Sequence, residues 1–158
     1  MIDCVYISNL RVFRNGVVER YKFNVRKNKG GWKIIKNNIN NMGYYNVSMD
    51  GKNVLRHRLI AYCFMGLENI KSNIKHTDGV IDHKNHNQLD NRVDNLRIIT
   101  QRQNMENAQR KGYSWNKSHN KWRARIQKDG KEIHIGYFEN ENDAREAYLN
   151  AKRTYHII

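Results

Sequence analysis

The chain has 158 residues, enough for one compact domain or two to three small modules. Twenty-nine lysines and arginines stand against fifteen acidic residues, a formal charge of +14 that favours polyanions, meaning nucleic acid or an acidic membrane face. No stretch approaches the roughly 18 apolar residues of a membrane span, and the N-terminus lacks a signal-peptide core. Two cysteines, Cys4 and Cys63, are too few for a disulfide framework or a four-cysteine zinc site, so an intracellular, reducing setting without secretion is expected. A hydrophobic content of 39% excludes a disordered basic tail.

The charge is unevenly spread. Residues 1–75 hold fourteen basic and four acidic side chains, residues 76–110 hold five of each, and residues 111–158 hold ten and six. A neutral, carboxylate-bearing middle between basic flanks suits a chemical centre held on DNA by its neighbours. Ordinary solvated surface is the other reading of the same charges.

The first stretch reads as β. Val12-Phe13 and Val17-Val18 flank Asn15-Gly16, a dipeptide suited to a tight hairpin turn. Tyr44 to Met49, Asp50-Gly51 and Lys52 to Leu55 predict a second hairpin. Between the two, Arg26-Lys27-Asn28-Lys29-Gly30-Gly31 reads as an exposed basic loop. The period then changes: Leu59, Ile60, Cys63, Phe64 and Leu67 form one helical stripe, with His57 and Arg58 at its start.

Residues 79–108 read strand, loop, strand, helix. Val80-Ile81 runs into Asp82-His83, a polar loop spans Lys84 to Asp94, and Leu96 to Ile99 alternates as a strand. Thr100-Gln101-Arg102-Gln103 matches a capping box, which places Asn104 in the first turns of a helix. Asn107 to Gly112 reads as a linker. Beyond it the order is β, β, β, α. Lys121 to Gln127 alternates strictly, with Trp122, Ala124 and Ile126 on one face and Arg123, Arg125 and Gln127 on the other. Asp129-Gly130 turns into a second alternating strand carrying Glu132 and His134. Asn140 caps a helix with Ala144, Ala147, Tyr148 and Ala151 at helical spacing.

The segment from Gly79-Val80-Ile81-Asp82-His83 through Asp90-Asn91-Arg92-Val93-Asp94-Asn95-Leu96-Arg97 to Gln103-Asn104 resembles the HNH nucleases, particularly those of phage and intron homing endonucleases. The resemblance rests on Asp-His at a strand end, Asn-Leu-Arg opening the next strand and an asparagine on the following helix. It lacks the cysteine pairs of zinc-stapled relatives. It implies His83 as general base, Asp82 and Asn104 as ligands of one Mg²⁺ or Mn²⁺ per active site, and Asn95 as the group orienting the His83 ring. Those residue types suit the chemistry. Neutral imidazole accepts a proton near neutral pH. A carboxylate with an amide oxygen makes a hard cation site that leaves room for phosphate and water. Arg92 and Arg97 are candidate phosphate contacts. His83 with His86 suggests zinc, but no second ligand pair accompanies them. His86, Asp90, Asn91 and Asp94 read as residues that structure the loop.

The last segment is similar to the Apetala-type domain of plant ethylene-response factors. The match rests on Gly112-Tyr113-Ser114, Lys121-Trp122-Arg123-Ala124, Gly130-Lys131, Ile135-Gly136-Tyr137-Phe138 and Ala144-Arg145-Glu146-Ala147-Tyr148. In that family the outer sheet face lies in the major groove, which implies DNA contacts from Arg123, Arg125, Gln127 and His134, with Lys117 beside them. Glu132 and His134 stand where arginine and tryptophan are typical, so a different sequence would be read. Gly43 to Val47 and Arg56 to Phe64 are similar to the segment preceding the nuclease motif in phage HNH enzymes. There, His57 is expected to pack against the nuclease strand, with an approach to the site itself as the alternative, and Lys27, Lys29, Lys33 and Lys36 suit phosphate contact.

The expected fold is α+β, with small modules in series that do not share one large core. They are a β-rich module with a helix (1–75), a ββα-metal HNH core (76–110), and a three-stranded antiparallel sheet with one helix (111–158). The expected function is a divalent-metal-dependent, sequence-preferring endonuclease acting on double-stranded DNA, with no membrane and no evident protein partner. A non-catalytic DNA-binding regulator on the same scaffold is one alternative. An RNA-binding or RNA-cleaving protein is another, disfavoured by the expected lack of exposed aromatic pairs for stacking single-stranded bases.

Overall fold

The computed structural model describes residues 3–70, 79–108 and 111–156. Two compact units emerge, Met1–Thr100 and Gln101–Ile158. The boundary expected at 75/76 lies outside the described residues, and the one at 110/111 adjoins a segment that is also outside them.

In the first unit, β1 (Cys4–Ile7), β2 (Leu10–Phe13), β3 (Val18–Asn24) and β4 (Lys29–Ile34) form an antiparallel meander in chain order. The Asn15-Gly16 turn closes β2 onto β3, with Gly16 at φ +87° and the Asn15 side-chain oxygen accepting from Val17 N at 3.1 Å. Any β-carbon at Gly16 would also press on the backbone of Asn91, 3.1 Å away. The segment expected as a basic loop is shorter than its sequence suggests. One turn of 3-10 helix (Val25–Lys27) leads directly into β4, because Tyr21 pairs with Trp32 and Phe23 with Gly30. An edge strand tolerates the glycines that suggested a loop.

A second small sheet holds β5 (Asn38–Ile39), β6 (Tyr45–Met49) and β7 (Lys52–Leu55), with the expected turn at Asp50-Gly51. Helix α1 (Arg56–Phe64) follows immediately and buries Leu59 and Ile60. Strands β8 (Val80–His83) and β9 (Leu96–Ile99) pair antiparallel, with Asp82 opposite Arg97 and His83 opposite Leu96.

One cluster joins these pieces: Leu10, Val12 and Val18 from the meander, Val47 and Val54, Leu59 and Ile60, and Ile81 and Leu96. Burying each of the larger side chains contributes about 1.5–3 kcal/mol. The expectation of separate cores is therefore corrected for this unit. A two-stranded β8–β9 ribbon is too small to cover its own apolar face, so it borrows α1 and the two sheets.

The second unit holds α2 (Gln101–Asn107), the antiparallel sheet β10 (Tyr113–Asn116), β11 (Lys121–Lys128) and β12 (Lys131–Phe138), and α3 (Glu141–Tyr155). Asn140 caps α3, its side-chain oxygen accepting from Asp143 N at 2.9 Å. Ala144 and Tyr148 pack on Ala124 and Ile126 as the alternation predicts, with Trp122 partly buried against them. The chain is a mixed α+β fold of several small sheets and helices.

Candidate active site

His83 ends β8 and is buried. Its Nε2 lies 3.1 Å from Asn91 Oδ1. The Asn91 amide is oriented by its own Nδ2, which donates to Leu89 O at 3.3 Å. Since Asn91 presents an acceptor, His83 Nε2 carries the ring proton and Nδ1 keeps the basic lone pair. A base with one nitrogen tied and the other basic is what water activation requires.

The loop that presents Asn91 is folded by its own asparagines. Asn85 Oδ1 accepts from Asn87 N at 2.9 Å, and Asn87 Oδ1 accepts from Leu89 N at 3.0 Å. Such side-chain turns replace backbone ladders in polar loops. Asp90 takes both Nε and Nη2 of Arg92, and this pairing holds its carboxyl down at about 2. From outside the loop, Val93 N donates to Arg14 O at 2.9 Å, and the Gly16 turn abuts Asn91.

Asn95 does not orient His83, contrary to the expectation. Its Oδ1 accepts from Asn85 N at 3.1 Å and its Nδ2 donates to Asp90 O at 2.8 Å. It thus ties the two ends of the loop, while Asn91, expected only to structure that loop, holds the imidazole. Arg97, a candidate phosphate contact, has Nε and Nη2 both 2.7 Å from Asp82 Oδ2. The cause is register: the two residues are direct cross-strand partners, and opposite charges so placed attract.

Two aromatic rings complete the wall. His57, on α1, meets His83 edge to face at 5.3 Å between centroids and 83° between planes. Tyr44 lies 5.0 Å from the His57 ring and 6.3 Å from that of His83, and its hydroxyl accepts from Gln88 Nε2 at 3.0 Å. His57 was expected to pack against the strand; its ring meets the candidate base itself. Burial, then the neighbouring His83 and Arg58, push its pKa from 6.5 down to about 3. His57 is accordingly a neutral ring throughout the working pH range.

That shift gives a stability prediction. The unfolded chain protonates His57 near pH 6.5, whereas the folded unit resists until about pH 3. Between these values the unfolded state binds more protons, so stability falls as pH falls, and above pH 7 the effect is flat. Lowering the pH from 7 to 5 should cost about 2 kcal/mol through this residue. Urea midpoints measured at both pH values check this, and His57→Phe should flatten the dependence. An unchanged slope in that variant counts against the assignment.

Asp82 is buried, and Arg97 Nε and Nη2 both lie against its Oδ2. Its other oxygen is the kind of hard donor Mg²⁺ takes, usually with waters and substrate phosphate making up the rest. Among the described residues no group of three or more His, Cys, Asp and Glu is arranged to hold a metal. Asn104 stands partly buried on α2, in the second unit.

The remaining candidates are surface groups. Arg123, Arg125 and Gln127 share the sheet face opposite the Ala124–Ile126 core. A register slip between Ala124 and Arg125 sets Arg125 opposite His134 and Arg123 opposite Tyr137. Arg125 is ion-paired to Glu132 at 2.7 Å, and the His134 ring lies 4.8 Å from that of Tyr137. Lys117, Lys27 and Lys29 are exposed, as is Arg92 beyond its pair with Asp90. Among the described residues no helix is long and apolar enough to cross a membrane.

Comparison with known proteins places this geometry in context. No curated protein matches the chain. A solved structure titled "DNA binding and cleavage by the HNH homing endonuclease I-HmuI" is similar at 27% identity and a TM-score of 0.45, covering 82% of this chain and 72% of that one. Residues 54–106, the stretch that carries His57, Asp82, His83, Asn91 and Asn104, match the family model described as HNH endonuclease.

Proposed function

We propose that the chain is a divalent-cation-dependent DNA endonuclease in which His83 is the general base. The observation that carries this reading is the His83 Nε2–Asn91 Oδ1 hydrogen bond beside the Asp82–Arg97 pair, inside a segment that matches an HNH endonuclease model. Asn91 keeps the proton on Nε2, so Nδ1 can take a proton from a water as that water attacks phosphorus. His57 and Tyr44 wall the ring without adding charge. Asp82, with Arg97 fixing its carboxylate, and Asn104 by the family resemblance, would hold one Mg²⁺ or Mn²⁺. The chemistry such an ion would supply there is neutralisation of charge on the phosphate and the departing oxygen.

Sequence preference belongs to the second unit in this reading. Arg123, Gln127 and His134 lie on the face of the three-stranded sheet opposite its core, which the resemblance to the Apetala-type domain would set against DNA, and Lys117 suits a phosphate. Arg125 reaches a guanine edge only by exchanging its partner Glu132. Lys27, Lys29 and Arg92 add non-specific phosphate affinity, each contact steepening the salt dependence by close to one unit.

The test is direct. The protein is incubated with a random duplex pool and Mg²⁺, with a chelator control, and product ends are mapped on both strands. Cutting that requires the cation and clusters at preferred sequences is expected. Binding of a preferred duplex with no cleavage under any divalent cation would instead support a DNA-binding regulator on this scaffold.

A further inference from the structure

The outer face of the β1–β4 meander is not polar. Cross-strand partners share a face, and so do alternate residues along a strand. The register therefore places Tyr6, Phe13, Tyr21, Phe23, Trp32 and Ile34 together, opposite the face that buries Leu10, Val12 and Val18. Tyr6 is 66% exposed, Phe23 55% and Tyr21 43%. The expectation that the chain offers no exposed aromatic pairs is thus corrected.

The rings are held in place. Trp32 sits between Tyr6 and Tyr21, with centroids at 5.7 and 5.4 Å, both edge to face. Arg11 covers the Trp32 ring at 4.5 Å and is pinned by Glu19, whose oxygen lies 2.8 Å from Arg11 Nε. A β-carbon at Gly30 would collide with the Tyr21 ring, so only glycine lets that ring lie across the strand. Glu19, on this face, is neutralised by Arg11.

Beyond the core, the β3–β4 hairpin overhangs the unit. Lys22 and Lys33 stand on its reverse side, and Arg26, Lys27 and Lys29 at its tip, all exposed and, among the described residues, in no ion pair. Flat rings edged by unpaired cations are complementary to a strand whose bases are free and whose phosphates run alongside. A duplex hides its base faces and offers groove edges, which call for arginine, asparagine or glutamine instead of phenyl rings.

We infer that this aromatic face is a binding site for single-stranded DNA, with unpaired bases stacked on Tyr6, Tyr21 and Phe23 and the backbone along the lysine-rich tip. The choice of DNA over RNA rests on the nuclease reading above; the stacking does not.

The test uses the full chain and fluorescence anisotropy with three labelled probes: a short oligothymidylate, a duplex of the same length, and an oligouridylate. Tyr6→Ala and Phe23→Ala remove exposed rings that no core residue needs. Each should weaken oligothymidylate binding about fivefold or more, the low end of what one stacked base contributes, and leave duplex binding within about twofold. Tyr6→Phe, which keeps the ring, should retain affinity. Unchanged oligothymidylate affinity in both alanine variants overturns the proposal, as does an equal loss on the duplex. Preferential binding of oligouridylate overturns the assignment to DNA. A dimer that dissociates in the alanine variants, with no ring-dependent DNA binding, overturns the site altogether. Duplex cutting measured alongside separates the two readings: a chain that cuts nothing yet binds oligothymidylate through these rings loses the nuclease and keeps this site.

Discussion

His83→Ala should slow DNA cutting by about 10²–10⁴-fold, the range a placed general base contributes, while duplex affinity stays unchanged. The variant removes a buried ring, so folding must be checked by circular dichroism before rates are compared. Asn91→Ala provides a graded control. It leaves the imidazole but frees its Nε2 from the 3.1 Å hydrogen bond, so a smaller loss, about tenfold, is expected from misorientation alone. Asn95→Ala should instead act mainly on the loop, since Asn95 binds Asn85 and Asp90. Single-turnover cleavage of a preferred duplex measures all three. Equal rates for His83→Ala and wild type would remove His83 from the chemistry, and an Asn95 effect larger than that of Asn91 would return the orienting role to Asn95.

Arg97→Met should destabilise the first unit by about 3 kcal/mol. The Asp82 and Arg97 side chains are 11% and 15% exposed, so truncating the arginine strands a carboxylate with little water to solvate it. Replacing both partners by apolar residues behaves differently. Asp82→Leu with Arg97→Met leaves no unpaired charge, and most of the lost stability should return. Urea unfolding followed by circular dichroism distinguishes these cases. The double variant should remain inactive, because recovery of the fold does not restore the carboxylate. A single variant as stable as wild type would mean that the pair is solvated and contributes little to the fold. Recovered cutting in the double variant would mean that Asp82 plays no part in holding the cation.

These experiments separate what was readable in the chain from what was not. The β2–β3 and β6–β7 hairpins, α1, the β8–β9 ribbon and the three-stranded sheet with α3 were all legible, because turn dipeptides and hydrophobic period act over a few residues. Where the reading failed, two local signals competed. Gly30-Gly31 within a basic run looks like a loop, yet cross-strand pairing of Tyr21 with Trp32 draws it into an edge strand. The exposed aromatic face went unseen for a related reason. Alternation in β3 marks two faces, but only the arrangement of the meander on α1 and β6–β7 determines which is covered and how far the hairpin overhangs.

The candidate site divides in the same way. Asp82 and His83 adjoin in sequence, and their placement at the end of a strand follows from residue type and short-range pattern. Which asparagine holds the ring does not: Asn91 and Asn95 are both polar loop residues, and their roles are exchanged by the loop's internal hydrogen bonds and by its packing against Gly16 and Arg14. The partnership of Arg97 with Asp82 depends on strand register. The approach of His57 and Tyr44 to His83 depends on α1 and the second sheet docking against β8–β9 through Leu59, Ile60 and Leu96. The sequence alone determined which chemical groups were available and which short segments carried them. Their pairing was decided by the shared core, because contacts between residues distant in the chain form only where buried apolar surface repays the entropy of closing the loops between them.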